Sequence, residues 1–317
     1  MTSLPDPELA AIEGELIRAD LSDIPGTREL ERQFLRSGKP YAAARELVFA
    51  DAVAPGSPGN PGVRVRIVRP AEPAGPLPGL LYLRSSGFVL GTLASVENPA
   101  RRLADHVDVA VIAVDYRIAP EHPYPAALED SYAALRWATS ADAAGFGIGP
   151  DRIAVLGESS GGGLAIALSM ITRDRKGPAL AAQFLGAPTV DDRCDTPSMA
   201  EFTDTPMWRS PDSLVVWQHY LGQIRRGGDD VPVYAAPARA SVKDLTGLPP
   251  TWLITYQLDP TRDEALALAD HLIQAGVPTE LHHYAGAFHL IHTYPGTSIG
   301  SRILGDKYAA IGRILAA

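Results

Sequence analysis

The stretch RIAVLGESSGGGLAIALSMI, residues 152–171, decides the fold. It begins with the apolar run 152–156, continues with G-x-S-x-G at 157–161 and ends in a helix-favouring run. A strand, this pentapeptide and a helix, in that order, predict a nucleophile elbow, a sharp turn that lifts the Ser159 hydroxyl above the strand end. The turn crowds the positions two before and two after the serine, so both must lack a side chain. The stretch therefore predicts a nucleophile, Ser159, and one oxyanion donor, the N–H of Ser160.

Size and charge exclude several classes of protein. A chain of 317 residues with 46% hydrophobic and 21% charged side chains has room for one large α/β domain and a small cap. The formal net charge of −9, without a basic cluster, argues against a nucleic-acid partner. No apolar stretch is long enough to span a membrane, and the opening MTSLPDPE lacks the basic segment of a signal peptide. Because Cys194 is the only cysteine, we expect no intrachain disulfide, no cysteine metal site and a cytoplasmic location.

Apolar runs alternate with helical patterns along most of the chain. Strands are predicted at 46–53, 63–68, 79–83, 107–115, 152–156, 181–185, 251–256 and 279–284. Helices are predicted at 96–106, 125–140, 162–171, 264–275 and 303–315. This alternation implies an α/β fold with a mostly parallel central sheet that helices cover on both faces.

Two segments stand outside this alternation. Residues 1–45 are mostly polar and helical, with breaks at proline and glycine. Residues 191–237 are rich in Asp, Arg, Trp and Tyr and are helical around 213–221. We expect both segments to form a cap over the carboxyl ends of the strands, with a core made of 46–190 and 238–317.

A serine hydroxyl needs a base to take its proton and a carboxylate to orient that base. After an elbow of this kind, the acid precedes the histidine along the chain. Asp259 lies just beyond the strand 251–256 and is preferred to Asp263, which lies in the first turn of the next helix and there offsets the helix dipole. His289, beyond the last predicted strand, is the first choice for the base, and His292 is the second.

Several motifs occur together in the order of one known family. They are YL at 82–83, GFVLG at 87–91, DYRIAPE at 115–121, GESSGGG at 157–163, DPTRDE at 259–264 and FH at 288–289. With these motifs the chain resembles the hormone-sensitive-lipase-like branch of the α/β hydrolases, the bacterial family IV of capped carboxylesterases. The resemblance implies the α/β-hydrolase fold with a helical cap, Ser159 as nucleophile, Asp259 as acid and His289 as base. It also implies a small-molecule ester as substrate, no cofactor, and a homodimer as the assembly.

One element departs from the family pattern. Relatives carry His-Gly-Gly-Gly after the third strand, where this chain has Arg84-Ser85-Ser86-Gly87. By the resemblance, the N–H groups of Ser86, Gly87 and Ser160 stabilise the oxyanion. Glycine adopts dihedral angles that serine adopts with difficulty. Three explanations stay open: an intact loop in an active esterase, a distorted loop in an impaired enzyme, or a loop adapted to a different acyl reaction.

Aromatic side chains of the insertion have two interpretations, because they can line an apolar substrate pocket or form the core of the cap. The pocket candidates are Phe202, Trp208, Trp217 and Tyr220 in the insertion, with Phe88 beside the altered loop and Leu290 beside the base. A capped, modest pocket favours short to medium acyl chains over long ones.

The expected reaction is hydrolysis of a carboxylic ester through an acyl-enzyme. One alternative is an acyltransferase or an amide hydrolase on the same scaffold. Another is a weakly active or non-catalytic ligand-binding protein. The intact set of Ser159, Asp259 and His289 argues against the binding protein, and the altered glycine loop argues for it.

Overall fold

A central sheet of eight strands organises the protein. The computed structural model describes residues 4–16, 18–294 and 296–316. The strands are β1 (Leu47–Ala54), β2 (Val63–Pro70), β3 (Leu77–Leu83), β4 (Ala110–Val114), β5 (Ile148–Glu158), β6 (Gln183–Gly186), β7 (Thr251–Leu258) and β8 (Thr279–Phe288). Their order across the sheet is β1-β2-β4-β3-β5-β6-β7-β8. Both pairings of β2, with β1 and with β4, are antiparallel, and the other neighbouring strands run parallel.

Helices connect most of these strands. Those in the described ranges are α1 (Pro7–Ile12), α2 (Ile24–Ser37), α3 (Glu97–His106), α4 (Ala126–Ala138), α5 (Ala141–Ala144), α6 (Ser160–Asp174), α7 (Pro197–Glu201), α8 (Ser210–Leu221), α9 (Arg262–Gln274) and α10 (Ser298–Ala316). None of these helices is both long enough and apolar enough to cross a membrane.

Alternate residues of the central strands enter two separate hydrophobic cores, as the period of two in a strand requires. In β3, Leu81 and Leu83 pack in the core that contains α4, α6 and α9. Leu80 and Tyr82 of the same strand pack in the core that contains α3 and α10. Every residue of β3 is buried. The prediction of an α/β fold with a mostly parallel sheet covered on both faces is therefore confirmed.

The last strand is longer than the sequence predicts. It continues beyond Tyr284 to Phe288 and passes through Gly286, which has a φ of 69°. The N–H of Gly286 donates to Gln257 Oε1 at 2.7 Å, and its carbonyl accepts the N–H of Asp6 at 3.0 Å. Glycine often marks the end of a strand, but here Gln257 and Asp6 hold Gly286 in place and the strand continues. The strand consequently reaches the residue that directly precedes His289.

The last helix also begins earlier than its predicted start at residue 303. The carboxylate of Glu8 accepts the N–H of Ser298 at 2.9 Å and the Ser298 hydroxyl at 2.6 Å. This bond satisfies an N–H group that has no partner within the helix. Because the capping group comes from the opposite end of the chain, the local pattern does not reveal it.

Close packing at the elbow explains two of its glycines. Ser159 lies in the left-handed region with a φ of 55°. A Cβ on Gly157 would lie 2.0 Å from the carbonyl oxygen of Gly161. A Cβ on Gly161 would lie 2.1 Å from the carbonyl oxygen of Leu83 and 2.4 Å from that of Arg84. The elbow therefore lies directly against the end of β3, where the altered loop begins.

The N-terminal segment and the insertion contact each other. Arg18 forms an ion pair with Asp204 at 2.6 Å, which joins the segment before α2 to the turn between α7 and α8. From α2, Arg28 donates to the carbonyl of Val89 at 2.7 Å and to Glu121 at 2.7 Å. These bonds hold both segments close to the loop that follows β3, and the division into cap and core stays a prediction.

Replacing Gly161 by alanine is expected to lower the free energy of unfolding by about 1–3 kcal/mol, because the new methyl group meets two rigid carbonyl oxygens. Urea unfolding followed by circular dichroism measures the change. Gly305→Ala is the matched control, since its Cβ would meet nothing within 4 Å in an exposed turn of α10. That variant is expected to gain roughly 0.5–1 kcal/mol from helix propensity. Equal losses in both variants would contradict the packing explanation.

Candidate active site

Three parallel strands end at the residues that the sequence singles out. β5, β7 and β8 end directly before Ser159, Asp259 and His289. Because β5, β6, β7 and β8 are parallel neighbours, their carboxyl ends meet at the same edge of the sheet. The topology thus brings together side chains that lie up to 130 positions apart in the chain.

These three side chains form a hydrogen-bonded chain. Nε2 of His289 lies 3.0 Å from Ser159 Oγ, and Nδ1 lies 2.7 Å from Asp259 Oδ2. A carboxylate only accepts, so Nδ1 carries the proton and Nε2 accepts the serine hydroxyl. The other carboxylate oxygen accepts the N–H and the hydroxyl of Thr261 at 2.8 and 2.9 Å. Asp259 is fully buried, and its orientation is therefore set by bonds to both oxygens.

The two rival candidates lie elsewhere. Asp263 accepts the N–H of Ser198 at 2.7 Å and pairs with Arg262, in the first turn of α9. His292 lies in a one-turn 3-10 helix after β8 and is buried, with both ring nitrogens bonded to groups other than Ser159. Neither residue joins the chain of bonds that contains the Ser159 hydroxyl.

A second acid–histidine pair lies directly beside the first. Glu158 Oε1 accepts Nε2–H of His292 at 2.7 Å and an N–H of Lys307 at 2.9 Å, and Oε2 accepts the Tyr82 hydroxyl at 2.9 Å. His292 Nδ1 is therefore free of a proton and accepts the Tyr256 hydroxyl at 2.8 Å. All five residues are buried. We call them the Glu158 cluster.

Lys307 supplies the counter-charge in this cluster. Burial alone would raise the pKa of Glu158, but the charge of Lys307 and the hydrogen bonds from His292 and Lys307 hold that pKa well below its usual value. Burial lowers the pKa of His292, so we assign it as neutral at neutral pH. The local sequence pattern does not predict this cluster. The adjacency of Glu158 to the nucleophile was visible, but no local signal marks Lys307 on the last helix as its partner.

The altered loop has ordinary backbone angles at both of its serines. In the loop, positive φ values occur at Gly87, with 50°, and at the following Phe88, with 62°. Neither Ser85 nor Ser86 lies in the left-handed region that favours glycine. Serine at these two positions is therefore compatible with the observed course of the loop.

The hydroxyl groups around the loop form a closed network. Tyr116 donates to the carbonyl of Arg84 at 2.8 Å, so the Ser86 hydroxyl donates to Tyr116 at 3.0 Å. The Ser160 hydroxyl then donates to Ser86 Oγ at 3.1 Å and accepts the N–H of Ser86 at 3.1 Å. The N–H groups of Gly87 and Ser160 have no protein acceptor in the described ranges. Of the three expected donors, two are therefore unpaired and one is engaged.

Arg84 supports the loop from within the core. Its side chain is 3% exposed and lies over the ring of Tyr116, with its guanidinium carbon 4.0 Å from the ring centroid. Its terminal nitrogens donate to the carbonyls of Val114 and Tyr116, each at 3.1 Å. These contacts tie the loop to the residues that follow β4, and they make Arg84 a structural support.

A cavity of about 690 Å³ opens next to Ser159 and His289. Its apolar wall comes from three parts of the chain. The apolar lining residues are Ala19, Leu30 and Phe34 in the N-terminal segment, Met207 and Trp208 in the insertion, and Leu90 and Leu290 in the core. Ser85 and Ser86 lie in the same wall. Trp208 and Leu290 thus line the cavity, as the sequence predicts. The α2 residues are not among those that the sequence predicts for this wall. Their apolar side chains on an otherwise polar helix are the local signal for it.

Four of the six pocket candidates lie away from this cavity. Phe88 stacks on Tyr220 with ring centroids 3.9 Å apart, and Trp217 lies 5.2 Å from Phe88. Phe202 is buried in the other core and faces the guanidinium of Arg262 at 5.1 Å. None of these four rings lines the cavity, so the pocket interpretation of Phe88 is corrected to a packing role, and for Phe202, Trp217 and Tyr220 the structure agrees with the core alternative.

The arrangement has a known counterpart. A family model described as an alpha/beta hydrolase fold matches residues 80–293. The chain belongs to this α/β-hydrolase family. The match includes the altered loop, the elbow, Asp259 and His289.

Individual relatives are esterases. The hydrolase is 36% identical to Esterase LipI of Mycobacterium tuberculosis over 270 residues. The aligned stretch covers 84% of this chain and 81% of LipI. Over 228 residues it is 38% identical to Carboxylesterase NlhH of the same organism, covering 71% and 70%. A solved structure of a bacterial heroin esterase has a TM-score of 0.92 and 40% identity, covering 98% of both chains. The resemblance to hormone-sensitive-lipase-like hydrolases is thereby confirmed, as is the class of ester-hydrolysing enzyme.

Glu264 of this α/β hydrolase is a buried carboxyl group with few partners. Its Oε1 accepts the N–H of Val190 at 2.8 Å, and its Oε2 has no hydrogen-bond partner. Burial raises the pKa of Glu264 well above its usual value, and the charges of Asp191 and Asp259 raise it further. The carboxyl group is therefore protonated in the folded protein at pH values where the unfolded chain has released that proton.

This difference predicts a pH dependence of stability. Below the unfolded pKa of about 4.5 both states bind the proton, and above it only the folded state does. The stabilisation associated with this group is therefore lost as pH rises, by up to about 1.4 kcal/mol per pH unit. Glu264→Gln keeps the acceptor for Val190 and removes the titration. The free energy of unfolding of the variant relative to wild type is expected to rise between pH 5 and pH 7.5 in urea titrations, and a constant difference would contradict the assignment.

Proposed function

We propose that this hydrolase is a serine carboxylesterase that cleaves short- to medium-chain carboxylic esters through an acyl-enzyme. The observation that carries the proposal is the bonded chain from Asp259 through His289 to Ser159, with distances of 2.7 and 3.0 Å, at the wall of an apolar cavity. A serine hydroxyl in this setting has a base to take its proton and a carboxylate to stabilise the imidazolium that results.

The geometry supports a two-step reaction. In the first step His289 Nε2 takes the proton of Ser159, whose Oγ attacks the ester carbonyl carbon. His289 then gives that proton to the oxygen of the leaving alcohol, and the acyl group stays on Ser159. In the second step His289 takes a proton from water, the resulting hydroxide attacks the acyl carbon, and the proton returns to Ser159 as the acid leaves. Asp259 holds Nδ1 throughout.

The N–H groups of Gly87 and Ser160 are proposed as the standing oxyanion donors, since neither has a protein acceptor in the described ranges. The N–H of Ser86 is the third expected donor, and it would have to exchange its bond to Ser160 Oγ for one to the oxyanion. Because the loss of one donor typically costs about 10²–10³ in turnover, each of the two unpaired N–H groups is proposed to contribute on that order. The observed loop favours the first of the three explanations, an intact loop in an active esterase.

The cavity supports the preference for shorter acyl chains. Its volume of about 690 Å³ is bounded by residues of both expected cap segments, including Leu30, Phe34 and Trp208. We propose that these side chains enclose the acyl or alcohol group of a small-molecule ester. The homodimer and the cytoplasmic location that we expect from the sequence stay predictions.

Ser159→Ala is expected to lower kcat on p-nitrophenyl acetate and butyrate by at least about 10⁴-fold, because the nucleophile is lost. Turnover by the wild type on a series from acetate to dodecanoate is expected to peak at the shorter chains. Ser37→Ala, at the exposed end of α2, is the control variant. Labelling by an organophosphate, followed by mass spectrometry, separates an enzyme from a binding protein. Unchanged turnover in Ser159→Ala, or no adduct at Ser159 in the wild type, would overturn the proposal.

Restoring the family sequence His-Gly-Gly at positions 84–86 is expected to change kcat/KM on p-nitrophenyl butyrate by less than about tenfold, since Gly87 and Ser160 already offer unpaired N–H groups. Ser86→Gly is the second variant, because it removes one hydroxyl and leaves the support by Arg84 unchanged. A gain of about 10²–10³ in either variant would identify the loop as impaired. A loss on esters with a gain on amides or on alcohol acceptors would indicate a specialised acyl reaction.

A further inference from the structure

A second cavity of about 430 Å³ is lined in part by Tyr82, Glu158, His292 and Lys307, four members of the Glu158 cluster. Its wall is built from the end of α2, from α3, from α10 and from the 3-10 turn that contains His292. Phe34 and Thr293 belong to the walls of both cavities, so the second cavity neighbours the catalytic one. The proposed reaction uses none of the other residues that line it.

The charged groups of this wall are mostly cationic. The lining includes three cationic side chains, Lys39, Arg102 and Lys307, and one carboxylate, that of Glu158. Only Lys307 is paired with Glu158, whereas neither Lys39 nor Arg102 forms an ion pair within the described ranges. His292 is neutral by the assignment above. A chain with a net charge of −9 thus has a cavity of the opposite sign.

The three cations differ in how they are held. Lys307 is 5% exposed and uses one N–H on Glu158 at 2.9 Å, which leaves two of its three donors for another acceptor. The half-buried Arg102 lies over the ring of Tyr41, with its guanidinium carbon 4.4 Å from the ring centroid. The face of the ring stabilises the cation. The N–H groups lie in the plane of the guanidinium, and the ring accepts no hydrogen bond from them. The wall therefore offers several unused N–H donors around one space.

The remaining wall is apolar and aromatic. It includes Phe34, Leu103, Leu304 and Tyr308, next to the cationic side chains. Tyr308 is held by stacking on His106, with ring centroids 4.8 Å apart. A ligand that satisfies both parts of the wall has an anionic group and a compact hydrocarbon or aromatic body.

We propose that this second cavity binds a small carboxylate that has an apolar body, with the carboxylate group between Arg102, Lys39 and the free donors of Lys307. A planar carboxylate accepts two parallel bonds from a guanidinium, and an ammonium adds a third. The apolar body lies against Leu103, Leu304 and Tyr308. The site is separate from the catalytic serine and does not depend on its reactivity.

The test measures binding and no turnover. Benzoate is titrated into the full-length protein in a calorimeter, and benzamide, which has nearly the same shape without the charge, is the matched ligand. Benzoate is expected to bind, with benzamide at least about tenfold weaker. Arg102→Ala is expected to weaken benzoate by about tenfold, because one charged donor is lost. Lys39→Ala, at an exposed position, is a second variant that does not disturb the core.

Two controls locate the site. Arg136→Ala removes an exposed cation of α4 outside the cavity and is expected to leave benzoate affinity unchanged. Trp208→Ala alters the catalytic cavity and is also expected to leave it unchanged. No benzoate binding at 10 mM, equal affinity for benzamide, or loss of binding in Trp208→Ala but not in Arg102→Ala would each overturn the proposal. Because no reaction is measured, these outcomes leave the proposed esterase function standing, and a missing adduct at Ser159 leaves this proposal standing.

Discussion

The crossing of β5 and α6 at the elbow is the constraint on which the site depends. Gly157 and Gly161 approach so closely that a Cβ on the first would lie 2.0 Å from the carbonyl oxygen of the second. Gly161 in turn lies against the carbonyls of Leu83 and Arg84, at the start of the altered loop. One rigid joint therefore positions both the nucleophile and the loop that carries the N–H donors. Precise placement of a reacting group and its donors is what acyl transfer requires of a protein.

The Glu158 cluster holds the end of β5, directly before the elbow, in place. Three buried side chains, from β3, α10 and the turn after β8, bond to the Glu158 carboxylate, which is adjacent to the nucleophile in sequence. Tyr256 of β7 bonds to one of them, His292. A buried ion pair adds little net stability over an apolar packing, but loss of one partner typically costs about 3–5 kcal/mol. The cluster is therefore best understood as a device for fixing relative positions. It ties the strand of the nucleophile to the turn that follows the catalytic histidine.

The sequence predicts the parts of the structure that local chemistry determines. The elbow, the strand alternation, and the placement of Asp259 and His289 at strand ends follow from motifs and spacing, and the structure brings these side chains together. The sequence does not predict interactions that depend on partners far away in the chain. The cap of α10 by Glu8, the pairing of Lys307 with Glu158 and the bond from the Ser86 N–H to Ser160 Oγ join remote segments. Nor does the sequence separate a packed ring, such as those of Phe88, Phe202 and Trp217, from one that lines a cavity, because both have the same local pattern.

The pairing of Lys307 with Glu158 also bears on synthesis at the ribosome. A nascent chain acquires the elbow long before it acquires α10, so the carboxylate beside the nucleophile first exists without its cation. Burial of that unpaired charge is unfavourable, so close packing around Glu158 is disfavoured until the last helix has been synthesised. The last turn-and-helix segment to leave the ribosome is thus the one that neutralises the carboxylate next to the elbow.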